Sequence, residues 1–344
     1  MSYAFSSFVS CPDIQGRIDE GYFKADPTMF PGFINTLRAV TSPMNEAGIL
    51  QSQIDSKNGH YRAVEVVYQP RMSDADTSNS AELTCAAGPT FGETSKLYTI
   101  DPTEGASRSW SLSLDQLAPR CESDENYVAR QLAMHMQAIK RSINSEAVSF
   151  LSTNFGKLAG GGTLLTTATK NNTTGVYLDD YLSDVTYAYQ VAEGWDRPII
   201  IGGELTQKYM TALKSHCCAT VNVDLEAMMQ SDAQSYFFFE PKADTVFGAG
   251  EFAFMAPGAV QMLRYNAFKG AQGIRVIDDE AIKKGTIVDP ETGLEFDYYA
   301  QLDCNTWKFW MGLSYKFVTL PDDIFLTTDE LHDVNYIFNG KVSN

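Results

Sequence analysis

The chain has 344 residues, of which 44% are hydrophobic, 20% charged and 12% aromatic, enough for one large domain or two to three smaller ones. Lys and Arg number 26 against 43 Asp and Glu, a formal net charge of −17, which excludes the basic footprint of a nucleic-acid reader and a polybasic membrane-binding surface. No apolar run reaches the roughly 18 residues of a membrane span, MSYAFSSFVSCPDIQGR lacks the pattern of a secretory signal, and six scattered cysteines read as reduced thiols of a protein made in cytoplasm.

Residues 1–58 are punctuated by Pro12, Pro27, Pro31 and Pro43, so no long helical period survives and an extended arm with one short helix near 33–40 is expected. Two strands follow. In HYRAVEVVYQPR, Val64, Val66 and Tyr68 share a face; in SRSWSLSLDQL, Trp110, Leu112 and Leu114 alternate with serines. Between them lies a Ser/Thr/Gly-rich stretch containing KLYTIDP. These parts read as an extended two-stranded lobe over 59–115, too thin to bury both faces alone.

A long helix comes next. Ser123 can cap it, Asp124 and Glu125 suit its first turn, and Val128, Leu132, Met136, Ile139, Ile143, Ala147 and Phe150 recur at spacings of three and four. Lys140 and Arg141 are expected on or beside the opposite face. The Gly/Thr/Asn-rich stretch 158–175 reads as a connection. A small α/β unit follows: helix over about 179–193, strand 198–201, Gly202-Gly203, helix 204–214. YFFF at 236–239 and FAFMAPGAVQMLRY at 252–265 are short apolar runs. GTIV, Asp289-Pro-Glu-Thr-Gly293 and LEFDYYAQLD read as a hairpin, with WKFWMGLSYKFVTL continuing as one long strand or a pair.

Chemical motifs are few. Gly248-Ala-Gly-Glu-Phe-Ala253 matches a dinucleotide-loop spacing, yet Pro257 and Gly258 follow at once and Glu251 would face pyrophosphate, so a surface turn explains it better. Of the four histidines, His60, His135, His216 and His332, His135 lies beside the helix stripe as a packing residue. His216-Cys217-Cys218 lacks a second cluster at zinc spacing. Asp278-Asp279-Glu280 and Asp322-Asp323 are acidic runs of the kind that usually form solvated faces, though they could bind a cation or pair as acid and base. No catalytic residue, metal ligand or cofactor is assigned. The aromatic residues of the arm and lobe, Phe30, Phe33, Tyr68, Tyr98 and Trp110, are instead expected at subunit interfaces, because no local core is in sight to bury them.

The order of parts resembles the major capsid proteins of tailed bacteriophages, the Hong Kong 97-like fold. The resemblance is carried by ENYVARQLAMHMQAIKRSINSEAVSFL, RPIIIGGELTQKYMTAL, EFAFMAPGAVQMLRYNAF and IVDPETGLEFDYYAQLD. It implies an α+β subunit: arm 1–58, extended loop 59–115, peripheral domain 116–175 with 285–325 around a spine helix, axial domain 176–284, and C-terminal tail 326–344. It further implies pentamers and hexamers of this chain closing an icosahedral shell around double-stranded DNA held without sequence-specific contacts, assembled in host cytoplasm, with portal, scaffolding or decoration proteins as further partners. Only about 57 residues precede the loop, so a scaffolding segment is expected to be separate or absent. Some relatives cross-link a loop lysine to a neighbour; Lys96 lies in the loop, and nothing marks it or any asparagine for that chemistry. Two alternatives remain open: a cellular nanocompartment shell of the same fold, and an acidic α/β hydrolytic enzyme using Asp278, Asp279 or Glu280.

Overall fold

In the computed structural model of the chain, the described residues are 15, 16, 18, 34–41, 51, 64–68, 96–113, 124–155, 164–169, 198–216, 236–270, 273, 274, 277, 278, 281–319 and 337–343. In chain order they form helix α1 (Asn35–Thr41), strands β1 (Val64–Tyr68), β2 (Lys96–Ile100) and β3 (Glu104–Ser113), helix α2 (Asp124–Thr153), β4 (Leu164–Thr169) and β5 (Ile199–Gly202). Then come α3 (Glu204–His216), β6 (Tyr236–Phe239), α4 (Ala243–Val246), β7 (Glu251–Met255), β8 (Val260–Tyr265), β9 (Lys269–Gly270), β10 (Gly273–Ile274) and β11 (Ile277–Asp278). The last are β12 (Ile282–Val288), β13 (Glu295–Asp303), β14 (Thr306–Thr319) and β15 (Ile337–Ser343). Phe30, Phe33, Ser123, Asp279, Glu280, Cys217, Cys218, Asp322, Asp323, His60, His332 and the helix expected over 179–193 lie outside the described residues.

The chain divides into two compact units, one of residues 1–64, 101–150 and 261–318, the other of 65–100, 151–260 and 319–344. In this division 261–284 go with the first unit and 151–175 with the second. The first unit is built on the antiparallel sheet β11-β12-β13-β14-β3, with β8 also pairing β14. Alternation decides its faces. Trp307, Phe309, Met311, Leu313, Tyr315 and Phe317 of β14 are buried, and α2 lies on them: His135 stacks on Trp110 at 4.0 Å between ring centroids, and Phe150 meets Phe317 at 5.6 Å.

The sequence-derived stripe of α2 is buried at Val128, Leu132, Met136, Ile139, Ile143 and Ala147. A correction concerns Lys140, which is wholly buried rather than on an outer face. Its stem joins the apolar stripe, and its ammonium meets Asp289 at 3.0 Å and Glu291 at 2.6 Å. Both carboxylates come from the β12–β13 turn. Asp289 also accepts bonds from the Thr292 N–H and hydroxyl, and Gly293 closes the turn at φ +67°.

In the arm, Ile34, Leu37, Ala39 and Val40 are buried within their own chain, so this part of the arm is covered without another copy, while the arm's interface candidates Phe30 and Phe33 lie outside the described residues. Helix α1 is held by a bond from the Leu37 N–H to the buried Asn144 side chain at 2.9 Å and by an ion pair of Arg38 with Glu291. Replacing Asn144 with Leu strands the Leu37 N–H, a loss of about 1–3 kcal/mol; faster hydrogen exchange confined to α1 is the expected sign.

The second unit carries the mixed sheet β4-β15-β7-β5-β6. Strand β4 falls inside 158–175, read from sequence as a connection, and β15 falls in the segment read as a tail. Both are strands because each completes the other: β15 runs parallel to β4 and antiparallel to β7. The run 248–253 is a glycine turn into a strand, with Gly248 at φ +123° and Gly250 at φ +77°, and no helix follows to make a dinucleotide loop. At the Gly202 end of β5, Asp244 accepts from the Glu204 N–H at 2.5 Å and the Gly250 N–H at 3.1 Å, tying the start of α3 to that turn.

Candidate assembly surfaces

The lobe differs from its sequence reading in one respect. Its two strands are β1 and β2, which among the described residues pair only with each other; β3 pairs instead with β14 over ten consecutive residues from Glu104↔Tyr315 to Ser113↔Thr306. The reason is the Trp110/Leu112 alternation: those side chains need a core, and β14 supplies one. KLYTI is left to close the ribbon. Tyr68 ends β1 and Tyr98 sits mid-strand in β2. Two paired strands alone are marginal in water, so the ribbon is the described element most in need of cover.

Trp110 is not left bare by its own chain. Its ring lies nearly parallel to both His135 and Phe309, with centroids 4.0 and 5.2 Å away. Burial, and then the Arg108 charge, lower the pKa of His135, so the imidazole in this stack is neutral near pH 7. Tyr315 donates its hydroxyl to Glu146, and burial together with that carboxylate holds the phenol protonated. These groups are packed as structural parts are, although the buried Nδ1 of His135 finds no hydrogen-bond partner among the described residues.

Of the acidic candidates only Asp278 lies among the described residues. Asp278 pairs in register with Lys283, His216 ends α3, and among the described residues no group of three or more His, Cys, Asp or Glu could hold a metal ion. No helix among them is long and apolar enough to cross a membrane.

One titratable group that sequence reading missed does stand out. Asp297 of β13 accepts from the backbone N–H of Ala267 at 2.7 Å and of Phe268 at 3.3 Å, while Asn266 donates to the Glu295 carbonyl at 2.8 Å. Lys284 sits 4.1 Å from the Phe268 ring centroid. Burial pushes the Asp297 carboxyl up to about 6, against the pull of the two N–H donors, Asn266 and Lys284. A native pKa above the unfolded one means the contribution is fully present below about pH 4 and is lost as pH rises through about 6. Denaturant midpoints should therefore fall between pH 4.5 and 7.5 by the equivalent of about 2–3 kcal/mol more in the native chain than in Asp297→Asn. Parallel pH profiles would refute this.

No family model matches the chain, and no curated protein matches it. Solved structures do match across most of its length. A chain from Mycobacterium phage Adephagia is 11% identical, with 83% of this chain and 87% of that one covered and a TM-score of 0.48. The Cyanophage A-1(L) capsid asymmetric unit gives 13% identity, 86% and 91% coverage and a TM-score of 0.47. A virus-like particle from Pyrococcus furiosus gives 8%, 85% and 97%, with 0.39. At such identities, and with these TM-scores below one half, the likenesses carry no functional weight of their own.

Proposed function

We propose that the chain is a shell-forming structural protein, the major capsid protein of a tailed bacteriophage, and not an enzyme. The observation that carries this is the β1–β2 ribbon, a two-stranded sheet of its own that leads through β3 into the 30-residue helix α2. At about 1.5 Å per residue, α2 is a rod of roughly 45 Å. A ribbon that cannot bury its own faces gains stability when laid on another copy, so folding and assembly share their free energy. Pentamers and hexamers closing an icosahedral container for double-stranded DNA follow from the same reading. Contacts that repeat about five- and six-fold axes let one surface close rings. The charge of −17 per copy keeps such a wall from gripping its contents. Tyr68 and Tyr98 remain our interface candidates on the ribbon, Phe30 and Phe33 in the arm, and Trp110 at its root.

Purified protein should form closed particles of megadalton mass by negative-stain microscopy and light scattering, with nuclease-resistant DNA inside those recovered from infected cells. A monomer at high concentration and at every salt condition would overturn the proposal. A co-purifying enzyme in place of DNA would move it to a cellular compartment shell.

A further inference from the structure

Strand β3 ends its sheet, and its outer edge meets no other strand among the described residues. Ten consecutive residues pair with β14 without a bulge or a proline, and Glu104, Gly105, Ser107, Arg108, Ser109 and Ser111 are exposed. A long, straight, exposed edge is a template for another strand unless something blunts it. Here the charges that could blunt it, Glu104 and Arg108, lie four residues apart on one face, and neither has an ion-pair partner among the described residues.

We propose that β3 pairs antiparallel with β3 of a second copy of this chain, about a two-fold axis at Ala106. Centred there, Gly105 of one copy opposes Ser107 of the other, and Glu104 opposes Arg108 twice. The small residues Gly105, Ala106 and Ser107 let the two edges approach. The register follows from charge: moving the two-fold axis to Arg108 for fuller overlap would set Arg108 against Arg108 and Glu104 against Leu112, a like-charge pair with both glutamates unpaired. Opposite charges directly across a strand pair attract, and like charges repel. The contact is isologous and smaller than a free-standing interface, so it gains strength by repetition in an assembly. It deepens the shell reading by naming one contact between copies, and it does not require the shell to be closed.

The test uses full-length single variants Gly105→Cys and Ser107→Cys, purified separately and mixed under mild oxidation. A Cβ at Gly105 would meet the Leu313 carbonyl oxygen at 3.5 Å, ordinary contact, so the variant fits. The expected result is a disulfide between residues 105 and 107, identified by mass spectrometry, that forms only in the mixture. Adding Arg108→Glu to both partners should slow the link roughly five- to tenfold, and adding Glu104→Arg as well should restore it. No 105–107 link in protein that still forms particles overturns this inference and leaves the shell standing. The link in protein that never forms particles keeps this inference and overturns the shell.

Discussion

Replacing Lys140 with Met should destabilise the chain by about 3–5 kcal/mol, because it leaves buried carboxylate without its counter-charge. Lys140 is fully buried, Asp289 nearly so, and their nearest contact is 3.0 Å. Glu291 keeps Arg38 as a partner, whereas among the described residues Asp289 keeps the Thr292 donors. Asp289 is thus the stranded group, and Lys140→Met with Asp289→Asn should recover most of the loss in denaturant midpoint. No recovery would mean that packing of the lysine stem, and not charge, sets the cost. Acid supplies an independent check. Burial works against the Glu291 carboxylate, but Lys140 and Arg38 together hold its pKa below the ordinary value. Its contribution is present above about pH 4.3 and fades as pH falls through the lower native value, so the deficit of Lys140→Met should narrow in acid.

Gly250→Ala should be the most damaging glycine substitution in the second unit. Gly250 has φ +77°, and a Cβ there would stand 1.9 Å from the Val342 carbonyl oxygen. Its own carbonyl accepts from the Val342 N–H at 2.8 Å, so neither backbone can retreat without breaking the join between the 248–250 turn and β15. Left-handed strain of about 1–2 kcal/mol adds to a clash of about 1–3 kcal/mol, for a total of about 2–5 kcal/mol. Gly293 is the control: φ +67° with open space where a Cβ would go. Gly293→Ala should cost only the strain. Equal losses in thermal unfolding of the two variants would refute the steric account.

What could be read from the residues was what local periodicity writes. The stripe of α2, the strand–Gly-Gly–helix of β5 and α3, and the Asp289-Pro-Glu-Thr-Gly293 hairpin carry their signals within a few turns of chain. What could not be read was partner choice. Nothing local tells KLYTI to close the ribbon in place of the Trp110 strand, because that is settled by β14, some two hundred residues on. Lys140 looked like a surface lysine because its two carboxylates are equally remote in sequence. LLTTAT looked like linker because Thr and Gly surround it, and only β15 makes it a strand. Of the candidate interface residues, Tyr68 and Tyr98 are placed on the ribbon. Trp110 has a stack of its own, which the alternation of its strand did not disclose.

Among the described residues strand β4 has one partner, β15, and β15 begins at Ile337 while β4 ends at Thr169. During synthesis at about 5–20 residues per second, β4 must wait roughly 10–30 seconds before the strand that completes it has been made. Over that interval β7 also lacks its neighbour on that side, so the second unit acquires its full sheet late. Until β15 has been made the second unit therefore has only part of its sheet, and its last packing step waits on the strand that lies farthest along the chain.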